Sequence, residues 1–397
     1  MAVRRRSYWA GMKIVHVITR LILGGAQENT LLTCEHLARR GHDVTLITGP
    51  PLGPEGELLN RAGSGEYRLI VLDAMRREIH PARDWTTYRA LRRQLAALAP
   101  DVVHTHSSKA GILGRRAAVR CGVGTIVHTI HGLPFHPYQT WWRNRLYVAL
   151  ERRAARQCDA LVCVADAMAR QALAVGVGRP DQYVTIRSGM ELDRFLDRPE
   201  NADAFRRGLR LPAGAVLVTQ VSRLAELKGH KYLIAAASRL GSNVHFCLVG
   251  DGALRGSIER KIAVAGLADR FHLTGLVAPT EIPAILHASD VLVHCSLREG
   301  LARALPQAML AGLPVVSFDV DGAAEVALND RTGFCLPPRD VEALTLALQR
   351  LTADADLRDR LGRAGRELAA RLFSAEKMVD QIEHLYQRLK GSARSRE

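Results

Sequence analysis

Apolar positions along the chain fall into two alternating patterns. Short continuous runs of strand length cover Lys13 to Thr19, Val44 to Thr48, Leu69 to Leu72, Val102 to His106, Ile126 to Ile130 and Leu161 to Val164. Between them the apolar residues recur with helical spacing: Leu31, Leu32, Cys34 and Leu37 closed by Gly41, then Trp85 to Leu98, Ile112 to Val119 and Trp142 to Arg156. Residues 49 to 66 are rich in Gly and Pro and read as a loop. The stretch Glu191 to Gly214 is polar, holds Pro199 and Pro212, and shows no strand pattern. A second series follows. Its strands are Val216 to Val221, Val244 to Val249, Phe271 to Thr274, Val291 to Cys295, Val315 to Phe318 and Phe334 to Leu336. One helix starts near His230, and three amphipathic helices, Val341 to Leu351, Leu357 to Leu372 and Ala375 to Leu389, close the chain. Strands alternating with helices predict parallel sheets covered by helices on both faces, here in two α/β domains that meet near residues 195 to 212.

In open parallel sheets ligands bind beyond the C-terminal ends of the strands, so the residues at those ends matter most. After Val291 to Cys295, Glu299 and Gly300 break the strand, and a short helix is predicted to begin near Ala302. Pro306 falls within about its first turn, where a missing N–H costs little, and Gly312 and Pro314 end it. Amides at a helix start suit a phosphate. A carboxylate such as Glu299 suits sugar hydroxyls instead, and the Gln307 amide can bond hydroxyls as well. Arg223 and Lys228 flank the turn after Val216 to Val221, an arrangement that neutralises a diphosphate. Gly250-Asp251-Gly252 and Gly275 follow two more strands and leave room for a base and a ribose. Together these ends point to a nucleotide-diphosphate site in the second domain.

The first domain is less explicit. Gly24-Gly25 follows the first strand, yet neither a G-x-G-x-x-G fingerprint nor a Walker lysine accompanies it. His104 and His106 share one face of their strand, and His128 and His131 stand at the end of the next. No third ligand has telling spacing, so no metal site is expected. His131 is singled out by the glycine after it and by the aromatic loop beyond: Phe135, Tyr138, Trp141 and Trp142. In the helix that follows, Trp142, Leu146 and Leu150 lie on one face, with Arg145, Arg152 and Arg156 elsewhere. The stripe is expected to pack on the sheet; the alternative is contact with a membrane surface.

Composition narrows the class. A chain of 397 residues exceeds one ordinary core. An apolar content of 47% with 5% aromatics suits an α/β protein. No apolar run is long enough to span a bilayer; the best candidate, Ala160 to Val177, carries Asp166 and Arg170. Residues 1 to 11 hold Arg4, Arg5 and Arg6 without an apolar run after them, which does not make a secretory signal. The 7 cysteines include no C-x-x-C pair and read as reduced, buried thiols, and a cytoplasmic location is expected. The net charge of +15 calls for an anionic partner, and no nucleic-acid module is visible.

Taken in order, these motifs resemble the retaining glycosyltransferases of family 4, from Lys13 to about Leu389. The residues that carry the likeness are Gly24-Gly25-Ala26-Gln27, His104-Thr105-His106-Ser107-Ser108-Lys109-Ala110-Gly111 and His128-Thr129-Ile130-His131-Gly132. In the second half they are Ser222-Arg223-Leu224 with Lys228-Gly229, Val249-Gly250-Asp251-Gly252, and Arg298-Glu299-Gly300-Leu301 running into Ala311 to Val316. The resemblance implies the GT-B architecture: two Rossmann-like domains with parallel sheets facing across a cleft, and C-terminal helices covering. The domains would be 12–195 on the acceptor side and 212–372 on the nucleotide-sugar side, with 373–397 packing back towards the first. It implies that Arg223 and Lys228 hold the diphosphate. Glu299 would bond donor sugar hydroxyls beside the amides of Gly300 and Leu301, and Gly250 and Gly252 would line the donor site. Gly24 and Gly25 would reach the diphosphate across the cleft, and His131 would stand near the reacting sugar. Neither metal nor other cofactor would be needed.

One departure stands out. The family pattern is E-x7-E, and the second position is Gln307 here, where ribose hydroxyls are expected. The donor implied is a nucleotide sugar, most simply a UDP-sugar. The acceptor implied is a glycan or lipid-linked sugar in cell-surface polysaccharide synthesis, met at the inner face of an anionic membrane. A nucleotide-sugar epimerase of the same architecture and an inactive nucleotide-sugar-binding subunit are the alternatives.

Overall fold

The computed structural model describes residues 11–52 and 58–394. The signal-peptide reading of the N-terminus and the middle of the 49–66 loop lie outside these residues. The chain forms two compact units. The first comprises the N-terminal part through Cys163, Ala169–Ile186 and the C-terminal helix from Met378; the second comprises Val164–Met168 and Arg187–Lys377. The passage between them at Ile186 and Arg187 precedes the polar stretch 191–214.

In the first unit seven strands form one parallel sheet. They are β1 (Lys13–Arg20), β2 (Asp43–Gly49), β3 (Arg68–Val71), β4 (Val102–His106), β5 (Thr125–Ile130), β6 (Ala160–Cys163) and β7 (Tyr183–Thr185), in the order β3-β2-β1-β4-β5-β6-β7. Strand order reverses between β1 and β4, which is where a doubly wound sheet opens a crevice at its strand ends. The central strands are buried throughout, including their polar residues His16, His104, Thr105, His106 and His128. Burial on both faces explains their near-continuous apolar runs. The C-terminal helix (Ala375–Arg394) is tied to this unit by Arg40–Glu383, Lys390–Asp101 and a hydrogen bond between Tyr386 and His104.

The second unit repeats the plan with six parallel strands. They are β8 (Val216–Val221), β9 (Val244–Val249), β10 (Phe271–Gly275), β11 (Val291–His294), β12 (Val315–Phe318) and β13 (Gly333–Leu336), in the order β10-β9-β8-β11-β12-β13.

Three local elements differ from these expectations or add to them. The Gly- and Pro-rich loop carries a short helix, Leu59–Gly63. The polar stretch 191–214 holds two helices, Asp193–Leu196 and Asn201–Gly208. Phe205, Leu209 and Leu211 pack on the buried cluster Leu217, Cys247, Val249 and Ile285, so these few apolar residues dock an otherwise charged segment on the second core. The third concerns the helix Trp141–Ala155. Its stripe does not pack on the sheet: Trp141 is 71% exposed, Trp142 51% and Leu146 47%. The buried side is Glu151, Ala154 and Ala155. Glu151 faces inwards because the fully buried Arg115 holds it, Nη2 to Oε2 at 3.0 Å. A buried ion pair and two alanines thus do the packing, and the tryptophans face out. Residues 183–185 also form an edge strand too short and too exposed to show a pattern.

Candidate active site

In the second unit, strand ends carry the charged groups. The β8 end runs through Ser222, Arg223 and Lys228 to Gly229, where the helix His230–Ala237 begins. Gly229 has φ +73°, and a Cβ there would lie 1.9 Å from the Cys295 carbonyl oxygen. Leu297 N–H donates to the Leu227 carbonyl at 2.8 Å. The turn after β8 is therefore clamped against the segment leaving β11. The consequence is that Lys228 Nζ donates to Glu299 Oε1 in a close ion pair. His294 Nε2 also reaches Glu299 Oε1 at 3.2 Å, and the Glu299 amide donates to Asp321 Oδ2 at 2.7 Å. Asp321 adopts a left-handed backbone, φ +50°, a conformation Asp tolerates better than most residues.

Burial alone would push the Glu299 carboxyl up. The Lys228 charge and the His294 contact more than offset it, holding the group well below the usual carboxylate range. Glu299 is thus an ionised acceptor, suited to hydroxyls. His230 is held at about 4, by burial first and then by the Lys228 charge, so it is neutral. It meets Ser222 Oγ at 3.2 Å.

Gly250 lies beside this turn with φ +132°; a Cβ would come 2.3 Å from the Ser222 carbonyl oxygen. At Gly252 a Cβ would sit 2.5 Å from the Leu224 carbonyl oxygen. Both glycines keep the β9 end against the β8 turn. Arg223 is exposed at that turn. The Gly322 N–H donates to the Gly300 carbonyl oxygen at 3.0 Å, and Leu301 is buried. The helix expected from Ala302 begins at Ala304 and ends at Leu310, with Pro306 in its first turn. Of its seven residues only Gln307 is not buried, which makes it the one side chain of that helix accessible to a ligand.

In the first unit, Gly24 caps the helix Gly25–Arg39 in an extended conformation, φ 176°, and accepts from the Glu28 amide at 3.0 Å. The histidines are rearranged relative to the sequence reading. His128 points away from the others and bonds Thr105 Oγ1 at 2.9 Å. His104 and His106 instead join His131 and His16, a β1 residue that sequence reasoning passed over. His16 pairs in register with His104 across β1 and β4. Its only sequence signal is a lone imidazole in an otherwise apolar strand.

His16, His104 and His106 place nitrogens within 4.8 Å of one another. The rings of His104 and His106 stack, as do those of His16 and His106. His104 spends Nδ1 on Tyr386 Oη (2.5 Å) and Nε2 on Thr129 Oγ1 (2.6 Å). His16 Nδ1 meets His106 Nε2 at 2.9 Å, and His106 Nδ1 meets His131 Nε2 at 3.1 Å. Among the ring nitrogens of these three, only His16 Nε2 is without a hydrogen-bond partner. Burial keeps His104 and His106 neutral, aided by their histidine neighbours, and lowers His16 to about 3. His131 alone of these four is half-buried.

Comparison with known proteins agrees with this architecture. Residues 24–189 match the glycosyl transferase 4-like domain, and residues 201–368 match the glycosyl transferases group 1. The fold is that of Anabaena HepE solved in complex with UDP, with a TM-score of 0.81 over 95% of this chain and 100% of that one at 20% identity. WaaG, a glycosyltransferase of lipopolysaccharide biosynthesis, superposes with a TM-score of 0.73 over 93% of this chain and 99% of its own, also at 20% identity. The chain thus belongs to the GT-B glycosyltransferases of the group 1 and 4-like families, and it is an enzyme of that class. Among its relatives is the UDP-Gal:alpha-D-GlcNAc-diphosphoundecaprenol alpha-1,3-galactosyltransferase of Escherichia coli, 30% identical over 387 residues, 96% of this chain and 98% of that protein. Another is the 2-deoxystreptamine N-acetyl-D-glucosaminyltransferase of Streptomyces fradiae, 31% identical over 88% of this chain and 89% of that one.

Proposed function

We propose that the enzyme moves a sugar from a UDP-sugar to a lipid-diphosphate-linked sugar, with retention of anomeric configuration and without a metal ion. The observation that carries the donor half is the Lys228–Glu299–His294 constellation at the ends of β8 and β11. Lys228 neutralises Glu299. When a nucleotide sugar arrives, Lys228 and Arg223 turn to the diphosphate, and Glu299 accepts hydrogen bonds from the sugar hydroxyls. Two fixed cations supply the charge stabilisation for a departing nucleotide that a divalent ion supplies elsewhere. Gln307 bonds the ribose, Gly250 and Gly252 let the nucleotide lie close to the backbone, and Gly300 and Leu301 offer amides to the donor. Gly24 and Gly25 contribute to diphosphate binding, and His131 acts at the reacting sugar.

The acceptor reading rests on the relative from Escherichia coli, whose acceptor is a diphosphoundecaprenol-linked sugar. It also rests on the helix Trp141–Ala155. Arg143 lies over the Trp142 ring at 5.1 Å and Arg145 over Trp141 at 5.9 Å, which makes an exposed surface both aromatic and cationic. Such a surface suits the interface of an anionic bilayer. No helix among the described residues is long and apolar enough to cross a membrane, so this contact is peripheral.

The test is transfer from a panel of UDP-, GDP- and ADP-sugars to a polyprenyl-diphosphate sugar, with and without EDTA. The product linkage is then assigned by NMR. Transfer from a UDP-sugar in EDTA, giving the donor's own anomeric configuration, is the expected result. Strict metal dependence or an inverted product would overturn the reading.

A further inference from the structure

Two groups hold the Glu299 carboxylate, and they differ in kind. Lys228 reaches it on a flexible stem from the turn after β8. His294 reaches it from the last position of β11, where its ring is buried. We propose that His294 is a positioning residue: it holds Glu299 by Oε1 and leaves Oε2 for the donor sugar after Lys228 has turned to the diphosphate. The inference rests on the donor-site reading above and adds what keeps its carboxylate in place.

The direction of the hydrogen bond follows from chemistry. An ionised carboxylate has no proton to give, so the hydrogen in the 3.2 Å contact sits on His294 Nε2 and is donated to Glu299 Oε1. This holds whatever the state of Nδ1. Lys228 Nζ donates to the same oxygen. Oε2 has no partner among the described residues, and the Glu299 side chain is 21% exposed, so Oε2 is the oxygen left for a ligand. The backbone of the residue is fixed as well, its amide donating to Asp321 Oδ2 at 2.7 Å.

The cost of burying His294 points the same way. Val291, Leu292 and Val293 before it are apolar and fully buried. His294 Nδ1 is also buried, and it has no hydrogen-bond partner. A leucine, of similar size, would carry no such orphan. The one hydrogen bond the ring makes is to Glu299. Strand pairing steadies it: His294 lies opposite Ser317 of β12, whose Oγ donates to the His294 carbonyl at 3.4 Å. An imidazole on a paired strand has fewer torsions to fix than a lysine on a turn. When Lys228 leaves, His294 stays.

The test separates positioning from packing. His294→Leu removes the donor and the orphaned nitrogen together. Its melting temperature should equal or exceed that of wild type, and its affinity for UDP by calorimetry should be unchanged. With the UDP-sugar that wild type uses best, kcat should fall roughly 10- to 100-fold. His294→Gln, whose amide can still donate to Oε1, should regain part of that loss. In a Glu299→Ala background His294→Leu should cost no further activity, because the group it positions is gone. Wild-type turnover in His294→Leu, or the same loss with and without Glu299, overturns the proposal. A leucine variant that melts well below wild type overturns it too, since the ring would then serve packing. Long-range 1H–15N correlation on histidine-labelled full-length protein reads the contact without any substrate. Wild type should show His294 protonated at Nε2, and an unprotonated Nε2 overturns the proposal whatever the rates. A wild type that binds no UDP overturns the donor-site reading instead, and the correlation spectrum still decides the contact.

Discussion

At the residue scale, Lys228 holds the Glu299 carboxylate ionised. Glu299→Ala is expected to lower transfer about 10²- to 10³-fold, because the sugar loses its charged acceptor. UDP binding should not weaken, since Lys228 is then released wholly to the diphosphate. Calorimetry with UDP beside initial rates checks both halves, and a large loss of UDP affinity would place Glu299 on the nucleotide instead. Gln307→Glu restores a charge at the accessible position of its helix. A charge-assisted hydrogen bond to ribose is roughly twice as strong as a neutral one, so donor KM should fall several-fold. Strand ends made Glu299, Lys228 and Arg223 legible in the sequence, because charge there has few structural uses. Their partners were not legible. His294, five residues before Glu299, reads as part of an apolar strand, and Asp321 lies on another strand's end 22 residues on. Such contacts are set by the order of strands, which local sequence does not encode.

At the scale of elements, the alternating pattern disclosed nearly every strand, since burial on both faces leaves a continuous apolar run. It misread the helix Trp141–Ala155, where the larger hydrophobic side chains lie outside and a charge lies inside. Amphipathicity assigns faces by side-chain type and cannot see that Arg115 claims Glu151. That buried pair gives a sharp expectation. Glu151→Leu alone leaves the Arg115 guanidinium buried and unpaired and should cost about 3 to 5 kcal/mol, whereas Arg115→Met with Glu151→Leu should recover most of the loss. Denaturant unfolding of the two variants measures it, and equal losses in both would mean that packing rather than charge holds this helix. The helices at 193–208 were hidden for a related reason: their apolar content is a few residues, and these suffice only because the second core is already there to receive them.

At the scale of the whole molecule, the sequence indicated two α/β halves and left their acid sensitivity unseen. His16, His104, His106 and His128 are neutral in the folded protein, each with its pKa depressed chiefly by burial. In the unfolded chain they protonate near pH 6.5. The unfolded state therefore binds more protons below that point, and stability falls as pH drops from about 6.5 towards the folded values. Each histidine contributes up to about 1.4 kcal/mol per pH unit. Calorimetric scans from pH 7.5 to 5 should show a melting temperature that declines below pH 6.5. A flat profile would mean that these histidines are already protonated or open to water.

The most direct test of the central claim is thermal stabilisation by saturating UDP, measured on wild type and on Lys228→Ala. Binding to the folded state alone raises the melting temperature by mass action. The expected result is a clear upward shift with UDP for wild type, smaller shifts with GDP and ADP, and most of the UDP shift lost in Lys228→Ala. An unchanged UDP shift in the lysine variant would contradict the account, because the diphosphate would then lie away from the β8 and β11 ends.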